Sequence, residues 1–175
     1  MKRFAVAPLV AGALVPVALT LGCTAADAAQ EPAKLQRIDE MVADYRSEFP
    51  GAEGVAVDQV MEWHDLGDVV FVDVRTAEER AISTLPGAIS GDEFERDPSV
   101  YDGLRVVAYC TIGYRSARFA ERMTAEGHEV LNFDGSLLAW THAGGVLEGP
   151  DGPTTRLHVY GRTWNLAADG YETIW

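Results

Sequence analysis

Two stretches of this chain, Asp68-Val-Val-Phe-Val-Asp-Val74 and Leu104-Arg-Val-Val-Ala-Tyr109, set apolar residues side by side without alternation. A strand with one wet face alternates; an unbroken apolar run marks a strand buried on both faces, as in a parallel sheet covered by helices. The intervening segments agree. Leu35, Ile38, Met41, Val42 and Tyr45 recur at helical spacing until Pro50-Gly51, and Val60, Met61, Trp63 and Leu66 do so behind Asp58, a competent helix cap. Thr76-Ala-Glu-Glu79 has the form of a capping box opening a short helix. Ser116 to Glu126 is amphipathic through Ala117, Phe119, Ala120 and Met123, and Ser136 to Ala143 forms a further helix before Gly144-Gly145. Gly54–Val57 and His128–Phe133 read as short strands, and Leu85-Pro-Gly-Ala-Ile89 turns back towards the sheet. Alternating strands and helices predict an α/β fold with a parallel central sheet and helices on both faces.

Composition limits the function classes. With 175 residues, 47% of them hydrophobic, the chain suits one globular domain and is too apolar for disorder. A net charge of -13 argues against nucleic acid as a partner, since polyphosphates would be repelled. Two cysteines allow one disulfide at most and cannot build a four-Cys zinc site. His64, His128, His142 and His158 lack metal-ligand spacing, so neither metal nor cofactor is expected. Asp92, Glu93, Glu95 and Asp97 read as a solvated acidic face.

The first 22 residues have the form of an export signal: Met1-Lys2-Arg3, then an uncharged apolar stretch from Phe4. Pro8 and Pro16 make that stretch a poor permanent membrane helix. It ends Leu19-Thr20-Leu21-Gly22-Cys23, which resembles a bacterial lipobox with the usual leucine displaced by one position. Lipidation at Cys23 and plain cleavage near Ala26-Asp27-Ala28 remain alternative readings; the first implies a lipid-anchored protein at the outer face of a bacterial membrane or in the periplasm. Residues 23–34, rich in alanine, would form the tether, 35–149 the domain with its core at about 50–149, and 150–175 a C-terminal extension packed on it. In that extension Thr155 to Tyr160 alternates as a strand does, and Trp164, Tyr171 and Trp175 follow. These aromatics either pack the extension onto the domain or roof the mouth of a site.

Val107-Ala-Tyr-Cys110-Thr-Ile-Gly113-Tyr-Arg115-Ser116 carries the chemistry. A buried strand ends on a cysteine, a loop with one glycine follows, and a helix begins. Such a loop can curl its amides towards the sulfur, Gly113 permitting backbone angles that a side chain resists. The helix N-terminus and Arg115 add positive potential, and all three favour the thiolate, the nucleophilic form. Cys110 is the one cysteine after Cys23, and in an oxidising compartment an unpaired thiol is a liability unless it is used.

The series Val-Asp73-Val-Arg75, Leu-Pro86-Gly87-Ala88-Ile, Tyr-Cys110-Thr-Ile-Gly113-Tyr-Arg115-Ser116, Phe-Asp134-Gly135-Ser-Leu-Leu-Ala139-Trp140 and Gly144-Gly145 resembles the rhodanese-like domains over residues 50 to 149. The resemblance implies the rhodanese-like α/β fold, here with a short C-terminal β-rich extension. It also implies a sulfurtransferase that moves a sulfane sulfur from a small anionic donor such as thiosulfate to cyanide or a thiol. Cys110 would be the nucleophile and carry the persulfide. The backbone of Thr111, Ile112, Gly113, Tyr114, Arg115 and Ser116 would cradle the outer sulfur, with Arg115 steadying the donor, by the logic of an oxyanion hole. Asp73 and Arg75 would be a structural pair that orients the loops at the strand ends. Ser83-Thr84-Leu85 stands where many relatives have Gly-His-Ile. Phosphatases and arsenate reductases of this fold resemble a cysteine and an arginine with five residues between them; Cys110 and Arg115 enclose four, a tighter ring suited to one sulfur. A membrane-tethered binding or sulfur-carrier module without turnover is the remaining alternative, although such modules often lose the cysteine.

Overall fold

The two unalternating runs form the centre of a five-stranded sheet. The computed structural model describes the backbone from Ala25 and side chains from Gln30, both to Trp175; the expected signal segment and Cys23 lie outside the described residues. In chain order the elements of the domain are α1 (Ala25–Glu48), β1 (Gly54–Val55), α2 (Val57–Asp65), β2 (Val70–Asp73), α3 (Ala77–Arg80), β3 (Ile89–Ser90), α4 (Gly91–Arg96), β4 (Val106–Tyr109), α5 (Tyr114–Ala125), β5 (Leu131–Phe133) and α6 (Ser136–His142). The sheet order is β1-β5-β4-β2-β3, and every neighbouring pair is parallel. Successive residues along β2 and β4 point to opposite faces. Phe71, Val107 and Tyr109 join a core with Ile38 of α1, Val60 of α2 and Leu137, Leu138 and Trp140 of α6. Val72, Val106 and Ala108 join a second core with Phe94 of α4 and Phe119, Ala120 and Met123 of α5. Both faces are covered, which is why neither strand run alternates.

Three local readings change. Helix α1 begins at Ala25, so residues expected in a tether are helical. Alanine, glutamine, glutamate and lysine are strong helix formers, and the segment is held from outside. Lys34 Nζ donates to Glu31 at 2.7 Å, to the Ala167 carbonyl at 2.9 Å and to Asp169 at 2.8 Å. The cap of α2 is Ala56, with no side-chain hydrogen bond; Asp58 stands instead in the first turn, where its charge favours the positive helix end. Helix α5 starts at Tyr114 rather than Ser116, because Gly113 turns the chain at φ 111°.

After α6 the chain makes a hairpin of β6 (Leu147–Gly149) and β7 (Gly152–Thr154), then pairs β8 (Arg156–His158) with β9 (Glu172–Ile174) in parallel. Thr84 and Glu148 exchange both backbone hydrogen bonds, at 2.8 and 2.9 Å, fastening the hairpin to the loop after α3. Leu157 and Val159 are fully buried in the first core, and the Tyr171 hydroxyl donates to the Gly145 carbonyl at 2.8 Å. Trp164, Leu166 and Tyr171 pack against that core, whereas Tyr160 stands exposed.

The burial of Leu157 yields a test of whether the extension belongs to the cooperative unit. Leu157→Ala removes a fully buried side chain and should cost about 2–5 kcal/mol, read as a lower urea midpoint for the whole protein. An unchanged midpoint would mean that the extension folds apart from the sheet.

Candidate active site

From β2 the chain moves to β3 on one side; from β4 it moves to β5 on the other. The carboxyl ends of β2 and β4 therefore flank a crevice at the point where the winding reverses, the usual ligand position in open α/β sheets. Cys110 follows β4 directly and is almost fully buried. Its amide donates to Ser136 Oγ at 3.1 Å, and Ser136 Oγ donates to the Phe133 carbonyl at 2.8 Å. Amides of Leu137 and Leu138 donate to the carbonyls of Cys110 and Thr111 at 3.3 and 3.1 Å, so the first turn of α6 holds the loop from below. The Gly113 amide donates to Cys110 Sγ at 3.2 Å. The amides of Tyr114, Arg115 and Ser116 open α5 without intrahelical acceptors, placing a positive helix end beside the sulfur.

Arg115 is clamped. Its two terminal nitrogens donate to Glu79 Oε2 and Oε1, both at 2.7 Å, and one lies 3.4 Å from Thr111 Oγ1. Burial works against its charge, but the bonds to Glu79 and the nearby Cys110 sulfur more than offset that, raising the guanidinium above its ordinary pKa. For Glu79 burial likewise favours the neutral acid; hydrogen bonds from Arg115 and the Thr76 amide outweigh it and hold the carboxyl down at about 2. His158 Nδ1, from β8, lies 3.8 Å from Glu79 and, among the described residues, has no hydrogen-bond partner.

A second buried pair lies behind. Arg75 and Asp73 have fully buried side chains and meet at 2.6 Å. Arg75 also donates to the Ser83 carbonyl at 2.6 Å, and the Tyr109 hydroxyl donates to Asp73 at 2.7 Å while accepting from the Leu85 amide at 2.9 Å. Burial and the charge of Asp73 keep the Tyr109 phenol well above its ordinary pKa, a neutral donor throughout. The network fixes the loop after α3 against β2 and β4.

In front of the sulfur lies a cleft of about 400 Å³ lined by Cys110, Thr111, Ile112, Tyr114, Arg115, Tyr160 and Trp164. The profile of the rhodanese-like domain matches residues 56–143, slightly more than half of the chain. The chain belongs to the rhodanese-like family. It is 32% identical over 98 residues to a sulfurtransferase of Allochromatium vinosum, spanning 50% of this chain and 86% of that protein. The fold matches thiosulfate sulfurtransferase from Pseudomonas aeruginosa with a TM-score of 0.51 at 23% identity, over 75% of this chain and 26% of that one. It also matches a Rhodopseudomonas palustris protein of unknown function, a possible tyrosine phosphatase, with a TM-score of 0.50 at 25% identity, over 77% and 99%.

Within this rhodanese-like site the residues singled out in the sequence take different places. Cys110, Thr111, Ile112, Tyr114 and Arg115 line the cleft, and Gly113 bonds the sulfur. The Ser116 side chain is fully buried and donates to Asn132 at 2.6 Å, anchoring α5 to β5. The Tyr114 hydroxyl donates to Glu48 at 2.9 Å and its ring meets that of Phe49 edge to face, so it belongs to the rim. Asp73 and Arg75 pair behind the loop and do not line this cleft. Sequence reasoning assigned no place at the site to Glu79, Ser136, His158 or Tyr45. Glu79 did carry a signal, its place in the capping box, and the box forms as read.

The Glu79–Arg115 pair makes stability depend on pH. Its carboxyl pKa is depressed by folding, so the contribution is full above about pH 5 and is lost as the pH falls towards 2. Glu79→Gln should lower stability at pH 7 by at most about 3 kcal/mol, and urea titrations should show the gap from the native protein narrowing between pH 5 and pH 2. A gap that stays constant over that window would assign the loss to packing.

Proposed function

We propose that this rhodanese-like protein is a sulfurtransferase that moves a sulfane sulfur from a donor such as thiosulfate to a thiophilic acceptor through a persulfide on Cys110. The observation that carries the reading is the Gly113 amide at 3.2 Å from Cys110 Sγ, at the floor of a cleft and beside the N-terminus of α5. The Cys110 thiolate attacks the outer sulfur of thiosulfate. A sulfur–sulfur bond forms to Cys110, the original one breaks, and sulfite leaves with the bonding pair. The acceptor, cyanide or a thiolate, then attacks the outer sulfur of the persulfide, and Cys110 departs as thiolate. The Gly113 amide and the free amides that open α5 stabilise charge on the transferred sulfur without reorganisation. Arg115, at the cleft wall, orients the donor while Glu79 fixes its guanidinium.

The Rhodopseudomonas palustris neighbour raises phosphoryl transfer as a competing reaction. Four residues between Cys110 and Arg115, a ring with room for one sulfur, favour sulfur. Thiosulfate treatment followed by mass spectrometry should add one sulfur, about 32 Da, to the Cys110 peptide, and Cys110→Ser should reduce thiocyanate production to background. An unmodified Cys110 peptide, or hydrolysis of an aryl phosphate by the native protein, would sink the assignment.

We also propose that the protein is exported and held to a membrane by acylation of Cys23. The basic head, uncharged apolar stretch and lipobox-like ending support this, and two or three acyl chains suffice for stable anchoring. Among the described residues no helix is long and apolar enough to cross a membrane. Cys23→Ala should move the protein from the membrane pellet to the soluble fraction; retention in the pellet would point to another attachment.

A further inference from the structure

Two walls of the cleft over Cys110 come from outside the rhodanese-like stretch. Residues 56–143 supply the floor, Cys110 to Arg115, while Tyr160 and Trp164 come from the C-terminal extension. Their rings meet edge to face with centroids 6.2 Å apart. Trp164 is half-buried against the main core, but Tyr160 is 71% exposed and fills no core position. Apart from that edge contact the Tyr160 ring packs on no core residue, and its place at the mouth of the cleft leaves it open to a ligand.

The charges around the cleft restrict what enters. Ile112, Tyr114, Tyr160 and Trp164 present mainly apolar surface. Arg115 is the one cationic residue among the lining residues, and both of its terminal nitrogens are occupied by Glu79 at 2.7 Å. No unmatched positive charge is left there for a second anionic group, and the chain's net charge of -13 disfavours polyanions at longer range. A volume of about 400 Å³ falls in the range of small-molecule sites.

We infer that the acceptor is a small organic thiol whose sulfur is carried on an uncharged, apolar body, with Tyr160 and Trp164 binding that body and determining specificity. The inference rests on the sulfur-transfer reading of Cys110. The acceptor thiolate attacks the outer sulfur of the Cys110 persulfide. A new sulfur–sulfur bond forms on the acceptor, the bond to Cys110 breaks, and Cys110 leaves as thiolate. The product is the acceptor's persulfide, and neither oxidant nor reductant is consumed. The rings hold the body of the thiol against Ile112, so its sulfur faces the floor.

The test compares benzyl mercaptan with 2-mercaptoethanol, thiols of similar basicity and different bodies, as acceptors for the thiosulfate-loaded full chain. The native protein should favour benzyl mercaptan by about tenfold or more in kcat/KM, the difference lying in KM. Tyr160→Ala, an exposed position whose change spares the core, should reduce that ratio several-fold. Trp164→Ala should do the same and Trp164→Phe should largely restore it. A ratio near one in the native protein, or a ratio untouched by both alanine variants, overturns the inference. A preference for a Leu-Cys-Leu peptide over benzyl mercaptan would reassign the cleft to a protein acceptor and overturn it as well. Persulfide on Cys110 without thiol preference defeats only the specificity inference, whereas absence of the persulfide removes sulfur transfer itself.

Discussion

The turn at Gly113 determines where the Cys110 sulfur sits and what it touches. Its φ of 111° lies where side chains are strongly disfavoured, and a Cβ there would stand 2.2 Å from the Tyr45 hydroxyl and 3.2 Å from the Phe133 carbonyl. The residue is excluded from bearing a side chain by both conformation and space. From this turn the Gly113 amide reaches Cys110 Sγ, and α5 starts with its free amides beside the loop. Tyr45 takes the vacant space and donates to Asp134 at 2.9 Å; burial and the charge of Asp134 hold its phenol above the ordinary range. Helix α1, which precedes the rhodanese-like stretch, thus presses on the Cys110–Arg115 loop from behind.

Around that loop every buried charge has a partner chosen for position. Asp73 with Arg75 ties the loop after α3 to the sheet, and Glu79 with Arg115 ties α3 to the first turn of α5. Pairs of this kind contribute little net stability, because desolvation consumes most of the attraction. Losing one partner, however, leaves an uncompensated buried charge, so each pair penalises any arrangement in which the loops drift. The same logic explains the neutral Tyr109 phenol, which bridges Asp73 and the Leu85 amide. The acidic chain thereby keeps the Arg115 guanidinium fixed at the cleft wall.

Features that depend on neighbours in sequence are legible in the sequence itself. The unalternating runs revealed a doubly covered sheet, and Cys110, Gly113 and Arg115 revealed the loop, because strand periodicity and loop chemistry act over a few residues. The Glu79–Arg115 clamp was hidden, since its partners lie 36 residues apart. Glu79 was also already explained by the capping box, and one Oε2 serves both the Thr76 amide and Arg115. The start of helix α1 is not legible because its partners are remote: Lys34 meets Asp169 of the folded-back extension, and Glu31 meets His142 at the end of α6. Of the extension's aromatic residues, Tyr171 packs on the core, Tyr160 lines the cleft and Trp164 does both, whereas Trp175 stands exposed and takes neither of the two roles left open by the sequence.

The balance of charge bears on the kind of group such a site can carry. A thiolate that accepts a sulfane sulfur becomes a persulfide anion, and the site holds one negative charge before and after. The Gly113 amide, the helix end and an arginine already matched by Glu79 can serve both states without any proton entering or leaving. A phosphorylated cysteine would instead bring close to two negative charges beside the Glu79 carboxylate, which Arg115 keeps ionised down to about pH 2. Relieving that repulsion would require Glu79 to release Arg115 or to take up a proton, and its depressed pKa opposes the second. A stored persulfide would thus ask less of the charges at this cleft than a stored phosphoryl group, which is the electrostatic support for the proposed sulfur transfer, separate from how many residues the loop contains.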